Sequence, residues 1–100
     1  MIEDFGEFAG IEEAVAVAVF TRKTCAHCRM LEKELEAIDE AGSGIRLGKV
    51  EVETEDDLVG RFHIMSVPAI LFLQRGELKE KLIGEYPKEI ILDTARRVRN

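Results

Sequence analysis

Cysteine is scarce in this chain: among 100 residues only Cys25 and Cys28 carry a thiol. Two thiols so close in sequence close a loop too small to constrain much of the unfolded chain, which argues against a structural staple. Basic residues are outnumbered, 14 against 20 acidic ones for a net charge of -6, and they form no long run that could track a phosphate backbone. Nucleic acid is therefore not an expected partner. Also missing is any apolar run approaching the ~20 residues that a membrane helix requires. The opening MIEDFGEFAG has neither the basic start nor the long apolar core of a secretory signal. These absences predict a cytoplasmic protein with no membrane partner. No repeat, low-complexity segment or linker divides residues 1–100, and 46% hydrophobic content suffices for the core of one domain.

What is present is concentrated around the two cysteines. Ala14 to Phe20 (AVAVAVF) is short, β-branched and apolar on both alternations, the pattern of a strand buried on both faces of a sheet. Thr21 to Thr24 makes a polar loop. A helical pattern then starts at Cys25-Ala26-His27-Cys28, with Cys28, Leu31, Leu35 and Ile38 on one stripe and Glu32, Lys33, Glu36 and Asp39 opposite, running to about Ala41. A helix start leaves backbone N–H groups unpaired and carries partial positive charge, so a thiol there is favoured as thiolate, the reactive form. A Cys-X-X-Cys pair in this strand-helix context is the arrangement of a reversible dithiol/disulfide centre.

Beyond Gly42-Ser43-Gly44, which stops the helix, Ile45, Leu47, Val50 and Val52 mark a second strand and complete a βαβ unit. Thr54 and Asp57 have capping-box spacing for a short helix through about Arg61. Ala69 to Leu73, the turn Arg75-Gly76 and Leu78 to Ile83 form a β-hairpin. Pro87 suits the first turn of a last helix, with Ile90, Ile91, Thr94 and Val98 inward and Arg96, Arg97 and Arg99 complementing its C-terminal dipole. Ile2, Phe5 and Phe8 suggest one or two amphipathic turns before the first strand. His63 reads as a loop histidine.

The order of elements, the Cys-X-X-Cys opening the first long helix, and Val67-Pro68 just before a hairpin strand resemble the thioredoxin superfamily over about Val15 to Asn100. The resemblance implies an α/β thioredoxin-like fold. Because the family's first strand is absent or much shortened, it points to a glutaredoxin-like mixed sheet of about four strands in three α/β/α layers. It implies thiol-disulfide oxidoreductase activity, most simply the reduction of protein disulfides. Cys25 matches the exposed nucleophile and Cys28 the buried resolving thiol. Pro68 matches a cis-proline lying against the cysteine pair, Val67 the residue whose backbone pairs with substrate as an added strand, and Gly84 a small residue lining the same groove. A strand-end glycine is the other reading of Gly84. The expected partners are disulfide-containing proteins and, as electron donor, a thiol reductase or a small thiol; the protein is expected to be a monomer with no cofactor beyond the Cys25/Cys28 dithiol.

Four positions depart from the family pattern. Thr24, Ala26 and His27 stand where thioredoxins proper have Trp, Gly and Pro, and Val19 stands where they carry a buried acid, the usual proton acceptor for the resolving thiol. Lys49 matches the lysine that pairs with that acid; without it Lys49 reads as a solvated strand-end lysine. His27, with Arg22, Lys23 and Arg29, should lower the pKa of Cys25, making His27 the tuning residue. A stabilised thiolate stabilises the reduced protein, so the potential is expected to lie above that of a proline-containing motif, with about 30 mV for each ~1.4 kcal/mol. Periplasmic disulfide-forming members of the superfamily also have His at this place. Two other classes remain open at this stage: a metal or iron-sulfur site shared through the same thiols, for which one chain offers too few ligands, and a peptide-binding adaptor without turnover.

Overall fold

The computed structural model describes residues 3–4, 15–38, 42 and 44–99. Within them lie β1 (Glu3–Asp4), β2 (Val15–Thr21), α1 (Ala26–Glu36), β3 (Ile45–Glu51), α2 (Asp56–Arg61), β4 (Ala69–Gln74), β5 (Glu77–Ile83) and α3 (Lys88–Arg99). The strands are ordered β1-β3-β2-β4-β5. β3 runs parallel to both β1 and β2, whereas β4 is antiparallel to β2 and to β5. The four long strands form the expected mixed sheet. The family's first strand survives as the two-residue β1, which adds a fifth, much shortened strand at the β3 edge. Ile2, Phe5 and Phe8 lie outside the described residues.

All seven residues of β2 are buried. Val15, Val17 and Val19 face one way, into a cluster with Leu31, Leu35 and Ile38 of the α1 segment and Ile91 and Ala95 of α3. Ala16, Ala18 and Phe20 face the other way, toward Phe62, Leu58 and Val59 in and after α2. Two apolar faces on one strand thus build two cores, one on each side of the sheet, and the architecture is three-layered. The charged β5, ELKEKLI, forms the opposite edge and discourages pairing with other chains.

The expected α1 stripe is in place, with Cys28, Leu31 and Leu35 fully buried and Ile38 nearly so. Its last turn tightens, Ala37 N–H donating to Glu34 O and Ile38 N–H to Leu35 O. Arg75 (φ 55°) and Gly76 (φ 78°) both have positive φ, as a two-residue type I′ hairpin turn demands. In α3 the inward face consists of Ile91, Thr94 and Ala95, with Val98 half-buried. Ile90, expected inside, is 42% exposed, because it lies one residue, about 100° of rotation, off the stripe that 91, 94, 95 and 98 define. Pro87 caps this helix, its carbonyl accepting from Ile90 and Ile91.

The expected capping box is not formed. Glu55 is the N-cap residue of α2 and makes no side-chain cap. Thr54 is occupied one turn earlier: its N–H and Oγ1 both donate to Glu51 O, closing the turn after β3. At the other end of α2, His63 has φ 53°, its N–H donates to Gly60 O, and Ile64 N–H donates to Val59 O. This is a Schellman motif with histidine at the left-handed position. Lys81 Nζ donates to the carbonyls of Phe62 and His63, at 3.2 and 3.3 Å, satisfying the same helix end. His63 is thus a helix terminator. His63→Val is expected to unfold at lower urea than His63→Gly, with a stability difference of about 1–2 kcal/mol from the left-handed backbone. Equal midpoints for the two variants would contradict that role.

Candidate functional site

The site is built where three strands end together. Across the sheet Phe20 registers with Ala69, and Ala69 with Ile83. The loop from β2 to the cysteines, the Val67-Pro68 entry to β4 and the Gly84-Glu85 exit from β5 therefore share one end of the sheet. Two contacts tie them. Gly84 N–H donates to Pro68 O at 2.8 Å. His27 Nδ1 lies 2.6 Å from Glu85 Oε1, joining the first turn of α1 to the segment after β5.

Cys25 is the N-cap residue of α1, with extended backbone (φ -155°, ψ 109°), and its Sγ accepts from Cys28 N–H at 3.2 Å. The two cysteines are disulfide-bonded, with their Cα atoms 5.2 Å apart. Their environments differ: Cys25 is half-exposed, whereas Cys28 is fully buried. One sulfur can meet an incoming disulfide and the other only its neighbour. The Val67-Pro68 bond is cis, the isomer that the resemblance implied. Gly84 has φ 108°, while the space a Cβ would fill there is open. Backbone conformation, not crowding, is what asks for glycine at this position.

The cations that the sequence arrays around Cys25 are more committed than their types suggest. Arg29 donates to the carbonyls of Arg22 and Lys23, at 2.6 and 3.1 Å, and pairs with Glu32. It clamps the loop as much as it charges it. Lys23 N–H donates to Glu53 Oε2, and this bond is the main reason the exposed Glu53 carboxyl is held below its ordinary pKa. His27, with a side chain 74% exposed, is paired through Nδ1 with Glu85 Oε1. The electrostatic pull on Cys25 is thus part of a web of pairs, not a bare positive patch.

Lys49 departs from expectation. It is half-buried, and its Nζ lies 3.0 Å from Glu32 Oε1, so it has a partner. Glu32, expected on the solvent face, has a side chain only 12% exposed, because Lys49 and Arg29 draw it onto the sheet side of α1. Its spacing of four from Cys28 was visible in the sequence; its long-range partner was not. Glu85, 58 residues from His27, had no local signal.

Among the described residues no group of three or more His, Cys, Asp or Glu could hold a metal ion. No helix among them is long and apolar enough to cross a membrane.

Comparison with known proteins agrees with this geometry. The thioredoxin family model matches residues 3–97. The chain is 33% identical over 84 residues to a thioredoxin of Bacillus subtilis, covering 83% of this chain and 81% of that one. It is 35% identical over 78 residues to a thioredoxin of Listeria monocytogenes, covering 77% and 76%. Among solved structures, a mutant thioredoxin from Halobacterium salinarum superposes with a TM-score of 0.85 at 19% identity, over 99% of this chain and 88% of that one, a likeness of fold.

Proposed function

This chain belongs to the thioredoxin family and is a thiol-disulfide oxidoreductase, and from that premise we propose that it works as a cytoplasmic, monomeric reductant of protein disulfides. Cys25 is the nucleophile and Cys28 the resolving thiol. The observation that carries the assignment is the bonded pair itself, with a half-exposed sulfur at the N-cap of a helix and a buried one a turn below.

In the reaction, the Cys25 thiolate attacks one sulfur of a substrate disulfide and the other sulfur leaves as a thiolate. Cys28, once deprotonated, attacks Cys25 Sγ, releasing the second substrate thiolate and leaving the disulfide seen here. Two electrons pass to the substrate. A thiol reductase or a small thiol restores the dithiol, and no other cofactor takes part. The backbone of Val67 pairs with the substrate chain as an added strand, with cis-Pro68 and Gly84 shaping the groove. The Gly84-to-Pro68 hydrogen bond, which holds the two sides of that groove together, supports this reading.

His27 tunes the pair. In its protonated form it favours the Cys25 thiolate and so the reduced state, an influence that its partner Glu85 moderates. The test is the equilibrium potential of the pair, titrated against thiol buffers and read by mass spectrometry of alkylated thiols. A reversible two-electron transition is expected, lying lower in His27→Pro than in the parent. Absence of any intramolecular disulfide across the range would sink the dithiol reading; an unchanged or higher potential in the variant would sink the role of His27.

A further inference from the structure

Resolution of the mixed disulfide makes a demand that β2 does not meet. Cys28 is fully buried, and before it can attack Cys25 its S–H must give up a proton. An unassisted thiol, with a pKa near 8.5, is only a few per cent ionised at neutral pH. The strand beneath offers no carboxylate or imidazole: β2 is buried throughout, and the residues it turns toward α1, Val15, Val17 and Val19, are apolar.

We propose that Glu32 takes the proton from Cys28 during resolution, directly or through one water, and that Lys49 is the positioning residue that holds its carboxylate in place. Glu32 lies four residues after Cys28, so the two side chains are neighbours on one face of α1, with Cβ atoms about 6 Å apart. Its carboxylate is turned toward the sheet and is 12% exposed. Oε1 is held by Lys49 Nζ at 3.0 Å, and Oε2 accepts from Arg29 Nη1. Each carboxylate oxygen has a further lone pair free to accept. The placement follows from register: Lys49 is paired with Val19, and Ile45 and Leu47, four and two residues earlier on the same face of β3, pack in the α1-side cluster. The acid missing from β2 is thus supplied from the helix above, beside the same residue.

The charged groups facing Glu32 are Arg29 from α1 and Lys49 from β3, while β2 contributes Val19 and α3 the apolar Ile91 and Ala95 to the adjoining core. Two cations hold the carboxylate oriented in a half-buried place. The step balances: the proton moves from Cys28 Sγ to Glu32, the Cys28 electron pair forms the new S–S bond, and the substrate sulfur leaves with the pair from the bond that breaks.

The proposal rests on Cys28 being the resolving thiol, and one experiment separates the two. Reduced protein is mixed with excess 5,5′-dithiobis(2-nitrobenzoate), whose coloured thiolate leaves without needing a proton. The first equivalent released reports Cys25 and the second, concentration-independent phase reports Cys28. Glu32→Gln is expected to slow the second phase, relative to the first, about tenfold or more at pH 7. Its second phase should then climb with pH as an unassisted thiol does. Glu32→Asp restores the wild-type pH profile. Lys49→Gln moves the second phase in the same direction by a smaller factor, and it reads the proposal should Glu32→Gln not fold. Second phases in both Gln variants within about twofold of wild type, or slowed equally at every pH, overturn the assignment of Glu32. A wild-type protein releasing one equivalent only overturns the resolving role of Cys28, and the proposal with it.

Discussion

Replacing Cys28 by serine is expected to stop turnover with the substrate still attached. Cys25 keeps its half-exposed place at the N-cap and still attacks an incoming disulfide. A serine hydroxyl cannot serve as the second thiol, so the mixed disulfide has no intramolecular exit and accumulates. Intact-mass spectrometry should find the protein heavier by one substrate half, released by excess small thiol. Cys25→Ser behaves differently, because Cys28 has no exposed surface from which to engage a protein disulfide. No adduct should form. Turnover in both variants should fall on the order of 10³-fold or more, the scale on which loss of a covalent nucleophile acts. Equal adduct yields from the two variants would reverse or erase the division of labour between the thiols.

Much of this architecture was legible because its determinants are local. The run AVAVAVF specifies a doubly buried strand whichever way it is turned, and the Cys28, Leu31, Leu35, Ile38 stripe specifies the helix face that covers it. Arg75-Gly76 supplies both positive-φ residues of the hairpin turn. What sequence reading missed depends on contacts across the fold. Glu32 looks solvent-facing when α1 is read alone, and becomes half-buried only when β3 brings Lys49 within 3.0 Å. Glu85 meets His27 because β5 ends beside the cysteine loop, which only strand register reveals. The two-residue β1 is too short to leave any periodicity. Thr54 had the right spacing for a cap, but Glu51 O competed for its hydroxyl, a local alternative that such residues commonly take.

The same register places the chemistry on a platform whose stability is open to direct test. Phe72 sits in the middle of β4 with no exposed surface, opposite Val17 of β2, and packs in the cluster beneath α1 and α3. Truncating it to alanine removes a ring that no neighbouring strand can move to replace, since β4 is paired on both sides. Phe72→Ala is expected to cost about 3–5 kcal/mol, a large part of the ~5–15 kcal/mol that holds a domain of this kind folded. Phe20 offers a comparison on the opposite face, where its ring meets Phe62 edge-on with centroids 6.2 Å apart. Phe20→Ala belongs to the same range, but its cavity opens toward α2 and not toward the helix that carries the cysteines. Urea denaturation of the oxidised proteins measures both losses. The dithiol potential of each folded variant should then differ: a cavity under α1 can perturb Cys28, whereas one under α2 leaves that helix seated. A loss below about 1 kcal/mol in Phe72→Ala would show that the α1-side layer repacks freely, and the rigid seating of Cys28 would have to come from the helix cap and the Glu32 pairs instead.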